Sequence, residues 1–306
     1  MIEGGKMINA YWPVYKRLEE ELISMTSDIR FDDYQIKTYS DRFLEILIRI
    51  SVEIEALSKE LYLLNGGEII EPESDMYFDT VCLQFLEEKW NICKKCVILD
   101  GIYFSFNNEE NKVLFPLKKS NKRGSSGSGW KRAYQAVKHN RSKNYRSGNM
   151  KNCIDALAAL YILNLYYKNE EYYLNDLKEA NEFDQSQGSE IFSITVSRGN
   201  SFDGEIDIDD KSIYCINYTD EFVKSWEKKN KELNISILEE TIKDKNVIDA
   251  INRGELKLEE ITDWSKLYEL VGIEQIGIIL RNSMQKINMG QLVENQKFYA
   301  YLNKGK

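Results

Sequence analysis

Residues 39–64 read YSDRFLEILIRISVEIEALSKELYLL, and this stretch decides the fold class. Phe43, Ile46, Leu47, Ile50, Ile54, Leu57 and Leu61 recur every three or four positions, the spacing that lines one face of an α-helix. Ser40 stands where an N-cap belongs, with a hydroxyl able to accept a backbone N–H of the first turn. Gly66 and Gly67 follow as a stop signal. A helix of about seven turns with one apolar stripe needs other helices to bury that stripe, so a bundle is expected.

The flanking segments supply the partners. Residues 8–26, INAYWPVYKRLEEELISMT, read as an earlier helix around Tyr15, Leu18 and Leu22, with Pro13 near its start. Asp75–Trp90 reads as a third helix. Lys151–Tyr167 contains CIDALAALYILNLYY, apolar on nearly all sides, and is expected at the centre of the core. Between these, CVILDGIYFSFNNEENKVLFPLKK changes period and reads as a β-hairpin of Val97–Phe106 with Lys112–Leu117. Three prolines in 306 residues agree with long helices.

The expected class is therefore mainly α. A helical bundle spans residues 1–186, with a β-hairpin inserted at about 97–118, and a small α+β region follows over 187–306. In that region SEIFSITVSRG and EIDIDDKSIYCINY read as two strands joined by an Asn/Asp/Gly loop. From Asp220 onward helices return, with breaks expected near Asn230 and Gly254. The acid run Asp203, Glu205, Asp207, Asp209 and Asp210 reads as a solvated strand face.

Several classes are disfavoured. No run of eighteen apolar residues exists, so no membrane span is expected. MIEGGKMINAYW lacks a signal-peptide pattern, which points to a cytoplasmic location. Five cysteines fit reduced thiols, and Cys93-x-x-Cys96 has no second pair to complete a zinc site. With no P-loop, GxGxxG or HExxH in the chain, neither a metal nor a cofactor is expected.

Function is concentrated in residues 130–141, WKRAYQAVKHNR, which hold the only histidine, His139. In a helix, Arg132, Gln135 and His139 share one face, beside an apolar stripe of Trp130, Tyr134 and Val137. A guanidinium and an imidazole on one helix wall suit acid–base chemistry on a charged substrate. From Lys112 to Lys151 there are twelve Lys/Arg and no Asp or Glu; the chain carries −9 overall, so −21 lies elsewhere. Such segregation points to a polyanion, RNA or DNA before membrane. Candidate RNA contacts are Lys131, Gln135, Lys138, Asn140, Arg141 and Lys143. Ser120–Gly129, SNKRGSSGSG, reads as a flexible basic loop leading into this helix. Glu55 and Lys59 form an i,i+4 pair in the 39–64 helix, where Glu55 is placed to orient the basic helix, with Tyr134 as a further supporting residue.

These motifs resemble the HEPN superfamily, small helical bundles that include ribonucleases of toxin–antitoxin, phage-defence and CRISPR systems. The family motif is an arginine, four to six residues, then a histidine; here six residues separate Arg132 from His139. The wider pattern is similar to a bacterial group with "YS…EIE…K" and "W..AY..VKHNR" helices followed by an Ala/Leu-rich helix. In this chain these are Tyr39–Ser40, Glu53–Ile54–Glu55, Lys59, residues 130–141 and Leu157–Ala158–Ala159–Leu160. The likeness covers residues 8–168. It departs at Ala133, where active members usually carry a polar residue.

What the resemblance implies is a metal-independent endoribonuclease acting through the RNA 2′-OH, with Arg132 and His139 as catalytic residues. It further implies a homodimer that brings two motif helices together, a toxin or antiviral-defence role, and an antitoxin or defence-complex partner. The alternative is a non-catalytic module of a defence or toxin–antitoxin complex that binds RNA or a nucleotide, or serves as a scaffold.

Overall fold

The computed structural model describes residues 9–199, 208–257, 261 and 263–305. Helix α1 (Tyr11–Ser24) begins where Asn9 Oδ1 accepts the N–H groups of Tyr11 and Trp12, both at 3.0 Å. Pro13 lies in its first turn, where a missing N–H costs nothing. Helix α2 (Asp41–Leu64) starts on an extended Ser40 whose Oγ accepts from the Phe43 N–H at 3.2 Å. It ends at Gly66, φ +94°, and Gly67, where a Cβ would lie 2.5 Å from the Tyr62 ring. The anticipated stripe of α2 is buried throughout, from Phe43 to Leu61.

Helix α3 (Gln84–Trp90) is entered through a π-helical segment, Phe78–Leu83, and is stopped by Asn91 in the left-handed conformation. Helix α4 (Gly129–His139) carries the basic motif. Helix α5 (Met150–Lys168), capped by Asn149, is buried almost continuously from Cys153 to Tyr166. It makes its broadest contact with α2 and is flanked by α1 and α4. Burying each large side chain of this core contributes roughly 1.5–3 kcal/mol, so the α2–α5 seam dominates the bundle.

The strands are short: β1 (Phe31–Asp32), β2 (Val97–Leu99), β3 (Phe104–Ser105), β4 (Val113–Leu114), β5 (Tyr172–Leu174), β6 (Phe192–Ile194), β7 (Val196–Arg198), β8 (Tyr214–Tyr218) and β9 (Phe298–Leu302). β1 pairs with β3 in parallel, β2 sits between antiparallel β4 and β6, and a third sheet runs β5-β9-β8-β7. The chain beyond β8 forms α6 (Asp220–Lys243), α7 (Lys245–Asn252), α8 (Trp264–Val271) and α9 (Ile273–Lys286). Val247, Ala250, Leu256, Leu267 and Ile276 make a small second core there. No helix among the described residues is long and apolar enough to cross a membrane.

The molecule is mainly helical with small sheets, as the patterning requires. Several local expectations are corrected. The hairpin is reduced to two antiparallel residue pairs, Val97 with Leu114 and Ile98 with Val113. Its NNEEN turn is a helical turn, Glu109–Lys112, because the Asn108 side chain caps it by accepting the Glu110 N–H at 3.0 Å. Phe104–Ser105 leaves the hairpin to pair with β1. SEIFSITVSRG divides into β6 and β7, in different sheets, and β7 runs parallel to β8. α6 continues through Asn230 and stops at Asp244, whose carboxylate instead caps α7. β9, read as helix from its sequence, returns to pair with β8 and β5. Of the acid run, Asp203, Glu205 and Asp207 lie outside the described residues, and Asp210 pairs with Lys94 at 2.8 Å.

The core is continuous across residue 186. Ile191, Phe192, Ile194, Tyr214, Ile216, Phe298 and Leu302 pack with the helices of the bundle in a single cluster.

Candidate functional site

Helix α4 sorts its residues by face. Trp130, Lys131, Ala133, Tyr134 and Val137 are buried, whereas Arg132, Lys138 and His139 are exposed and Gln135 is half-buried. Trp130 anchors the helix: its indole N–H donates to the Pro116 carbonyl at 2.8 Å. Neither Arg132 nor His139 has a side-chain hydrogen bond or ion pair among the described residues.

Lys131 is a correction. Proposed from sequence as an RNA contact, it is 3% exposed, and its ammonium donates inward to Asp79 Oδ2 and the Ser120 carbonyl, both at 3.0 Å, and to the Lys122 carbonyl. The loop read as flexible is thereby tied down, since a buried ammonium requires acceptors and the loop supplies two of them. Asn121 Nδ2 adds a bond to Gln84 Oε1 at 2.8 Å, and Ser120 and Ser128 pair through their hydroxyls at 3.2 Å. Burial works against the Asp79 carboxylate, but the bond and charge of Lys131, with Arg123 beyond, hold its pKa below the ordinary range.

The exposed wall of α4 lines a cleft of about 630 Å³ between α2, the segment 74–79 and the Arg123 loop. Arg132, Gln135 and Lys138 form one side, and Glu55 and Lys59 of α2 the other. Glu55 meets Lys138 at 4.0 Å, so the carboxylate proposed to orient the basic helix does reach it. Lys138 also stands 5.3 Å from the centre of the Tyr134 ring. Burial raises the Tyr134 pKa, with Glu55 adding to it, and the phenol stays a neutral donor. Arg123 lies over the Tyr77 ring at 3.7 Å and pairs with Asp79 at 3.2 Å. Sequence reasoning did not single out Tyr77, Asp79 or Arg123; the helix expected over Asp75–Trp90 is α-helical only from Gln84, with Tyr77 before and Asp79 within the π-helical segment Phe78–Leu83.

Arg132 is shared. It also borders a second cleft, about 640 Å³, with Trp130, Lys151 and Asp155. His139 lines neither cleft; it stands exposed at the last residue of α4. Past it, the Asn140 side-chain oxygen accepts the Lys143 N–H at 3.2 Å and starts the helical turn Arg141–Asn144. Arg141 reaches Glu45 at 3.5 Å and Asp41 at 3.9 Å, while Lys143 is exposed without an ion pair among the described residues. The structure therefore gathers Arg132, Gln135, Lys138, Glu55 and Lys59 at one cleft and leaves His139, Asn140, Arg141 and Lys143 beyond its end. Among the described residues no group of three or more His, Cys, Asp or Glu side chains is placed to hold a metal ion. Compared with protein-family models, with curated proteins and with solved structures, the chain finds no match.

Proposed function

We propose that this chain is a metal-independent endoribonuclease of the HEPN type, active as a two-fold homodimer. The observation that supports it is the exposure of unpartnered Arg132 and His139 on one face of α4, seven residues apart. RNA supplies its own nucleophile, the 2′-OH beside each phosphate. His139 takes or returns the proton, a role worth roughly 10²- to 10⁴-fold in rate. Arg132 stabilises charge developing on the phosphoryl oxygens. Lys138 and Lys143 bind neighbouring phosphates.

A single chain offers half of such a site, because His139 stands beyond the cleft and no side chain among the described residues bonds to its imidazole. A second α4 across a two-fold axis, packed through Arg132, Gln135 and His139, completes it. The resemblance to HEPN proteins adds the biological reading, a toxin or phage-defence effector restrained by a partner protein. The test is incubation of purified protein with labelled RNA in EDTA. Cutting that survives chelation and disappears in His139→Ala supports the enzyme.

One observation favours a second reading. Ala133 is buried against the core, so the position after the motif arginine offers no polar group to the site. In that case the helix grips RNA without cutting it, and the same assay shows retardation of intact strands.

A further inference from the structure

The last turn of α4 leads into a small aromatic surface that the proposed chemistry does not use. Tyr39, just before α2, and Tyr145, in the 3₁₀ turn Tyr145–Ser147, meet edge to face with ring centres 5.4 Å apart. They are 42% and 43% exposed. The Arg146 guanidinium lies 5.7 Å from the centre of the Tyr39 ring. Arg146 and Lys143 are exposed and form no ion pair among the described residues.

The surface is held in place rather than draped. Tyr39 and Asn149 form an antiparallel bridge, the Met150 N–H donates to the Thr38 carbonyl at 3.0 Å, and the Ser40 N–H donates to the Gly148 carbonyl at 3.3 Å. Gly148 permits that approach, since a Cβ there would lie 2.4 Å from Leu44 Cβ. Asn144 Nδ2 donates to the Ala136 carbonyl at 3.1 Å, fixing this turn to the end of α4 that carries His139.

Exposed rings beside an exposed guanidinium are what unpaired nucleobases require: a π-face to stack on and positive charge for the backbone. A duplex hides its base faces within its own stack, so it cannot use such a surface. We propose that Tyr39 and Tyr145, with Lys143 and Arg146, form a stacking platform for unpaired bases of single-stranded RNA next to the His139 end of α4. This rests on the RNA reading above and narrows its substrate to single strands.

The test uses 2′-O-methyl RNA, which has no nucleophile and stays whole, in fluorescence-anisotropy titrations of the full chain. A 12-nucleotide strand, the same strand as a duplex, an abasic strand of equal length and polyglutamate are compared. The platform predicts that wild type binds the single strand roughly tenfold or more tightly than the abasic strand or the duplex, the effect of one stacked base. Tyr39→Ala/Tyr145→Ala should fall to the abasic level while binding the abasic strand as wild type does, and Tyr39→Phe/Tyr145→Phe should keep the preference. If wild type binds abasic and base-bearing strands alike, the platform is wrong and the RNA reading stands. Binding none of the strands, or binding polyglutamate equally well, overturns both. Should the alanine variant not fold, the wild-type comparison of the two strands decides alone.

Discussion

Lys131 Nζ lies 3.0 Å from Asp79 Oδ2 in the interior, and this ion pair joins the motif helix to the π-helical segment before α3. Removing Lys131 leaves the Asp79 carboxylate with only the half-exposed Arg123 as its charged partner. Lys131→Met is therefore expected to lower unfolding free energy, by less than the roughly 3–5 kcal/mol of a wholly unpaired buried charge, and Lys131→Met/Asp79→Leu to regain most of it. Urea titration measures both. The folded Asp79 carboxyl titrates below its unfolded value, so its contribution is present above about pH 4 and is lost as pH falls through the folded pKa. A destabilisation present above about pH 4 and fading as pH falls below it is the expected signature of Asp79→Asn.

Lys95 gives a second pH-dependent expectation, of opposite sign. It is fully buried, its ammonium has no hydrogen-bond partner among the described residues, and burial pushes its pKa down to about 8, against the pull of Cys215, Asp210 and Asp209. Between about pH 8 and 10 the unfolded chain holds this proton and the folded chain does not, so this group's contribution to stability rises with pH. Lys95→Met should be more stable at pH 7 by up to about 3 kcal/mol, an advantage that fades towards pH 10. The thiols of Cys82, Cys93 and Cys153, whose pKa values are raised by burial, act oppositely and alike in both proteins, so the difference between their urea midpoints reports Lys95 together with its neighbours Cys96 and Cys215. A difference that stays constant from pH 7 to 10 would contradict this.

How much of this was legible follows from what sequence encodes. The α2 stripe and the all-round apolar α5 were readable because periodicity reports burial directly. The Ser40 cap was readable because capping is local chemistry. The hairpin was misjudged because the partners of β2 and β3 lie far away in the chain, at β6 and β1, and no local pattern names a distant partner. Lys131 was misassigned by its charge alone. Its position, three before Tyr134 and next to Trp130, places it on the apolar stripe, and that signal was available. At the cleft, Glu55, Lys59, Arg132, Gln135 and Lys138 converge as their helical faces imply, while Tyr77 and Arg123 arrive on irregular backbone that spacing cannot place.

The Glu55–Lys138 contact at 4.0 Å sets a competition between carboxylate and phosphate for one ammonium. Lys138→Ala should weaken RNA binding and reduce the slope of log K against log salt by about one. Glu55→Gln should tighten binding at low salt, and this gain should vanish in the Lys138→Ala background. Retardation assays across salt concentrations, with uncleavable RNA, read all three.

Dimerisation is expected through the exposed wall of α4. Sedimentation at tens of micromolar should show a dimer, weakened by Arg132→Glu and untouched by a charge reversal at Lys229 on α6. A monomer in low and physiological salt alike would remove the composite site.

The central claim is that His139 moves a proton and Arg132 stabilises phosphoryl charge. It is tested most directly by cleavage of labelled RNA, in EDTA, by wild type, His139→Ala and Arg132→Ala. Both side chains are exposed, so the thermal midpoints should scarcely move while cutting is lost in each variant. A DNA copy of the substrate should bind and stay whole, because the nucleophile is the 2′-OH. Wild-type cutting by His139→Ala, or equal cutting of the 2′-deoxy strand, would show that the chemistry lies elsewhere.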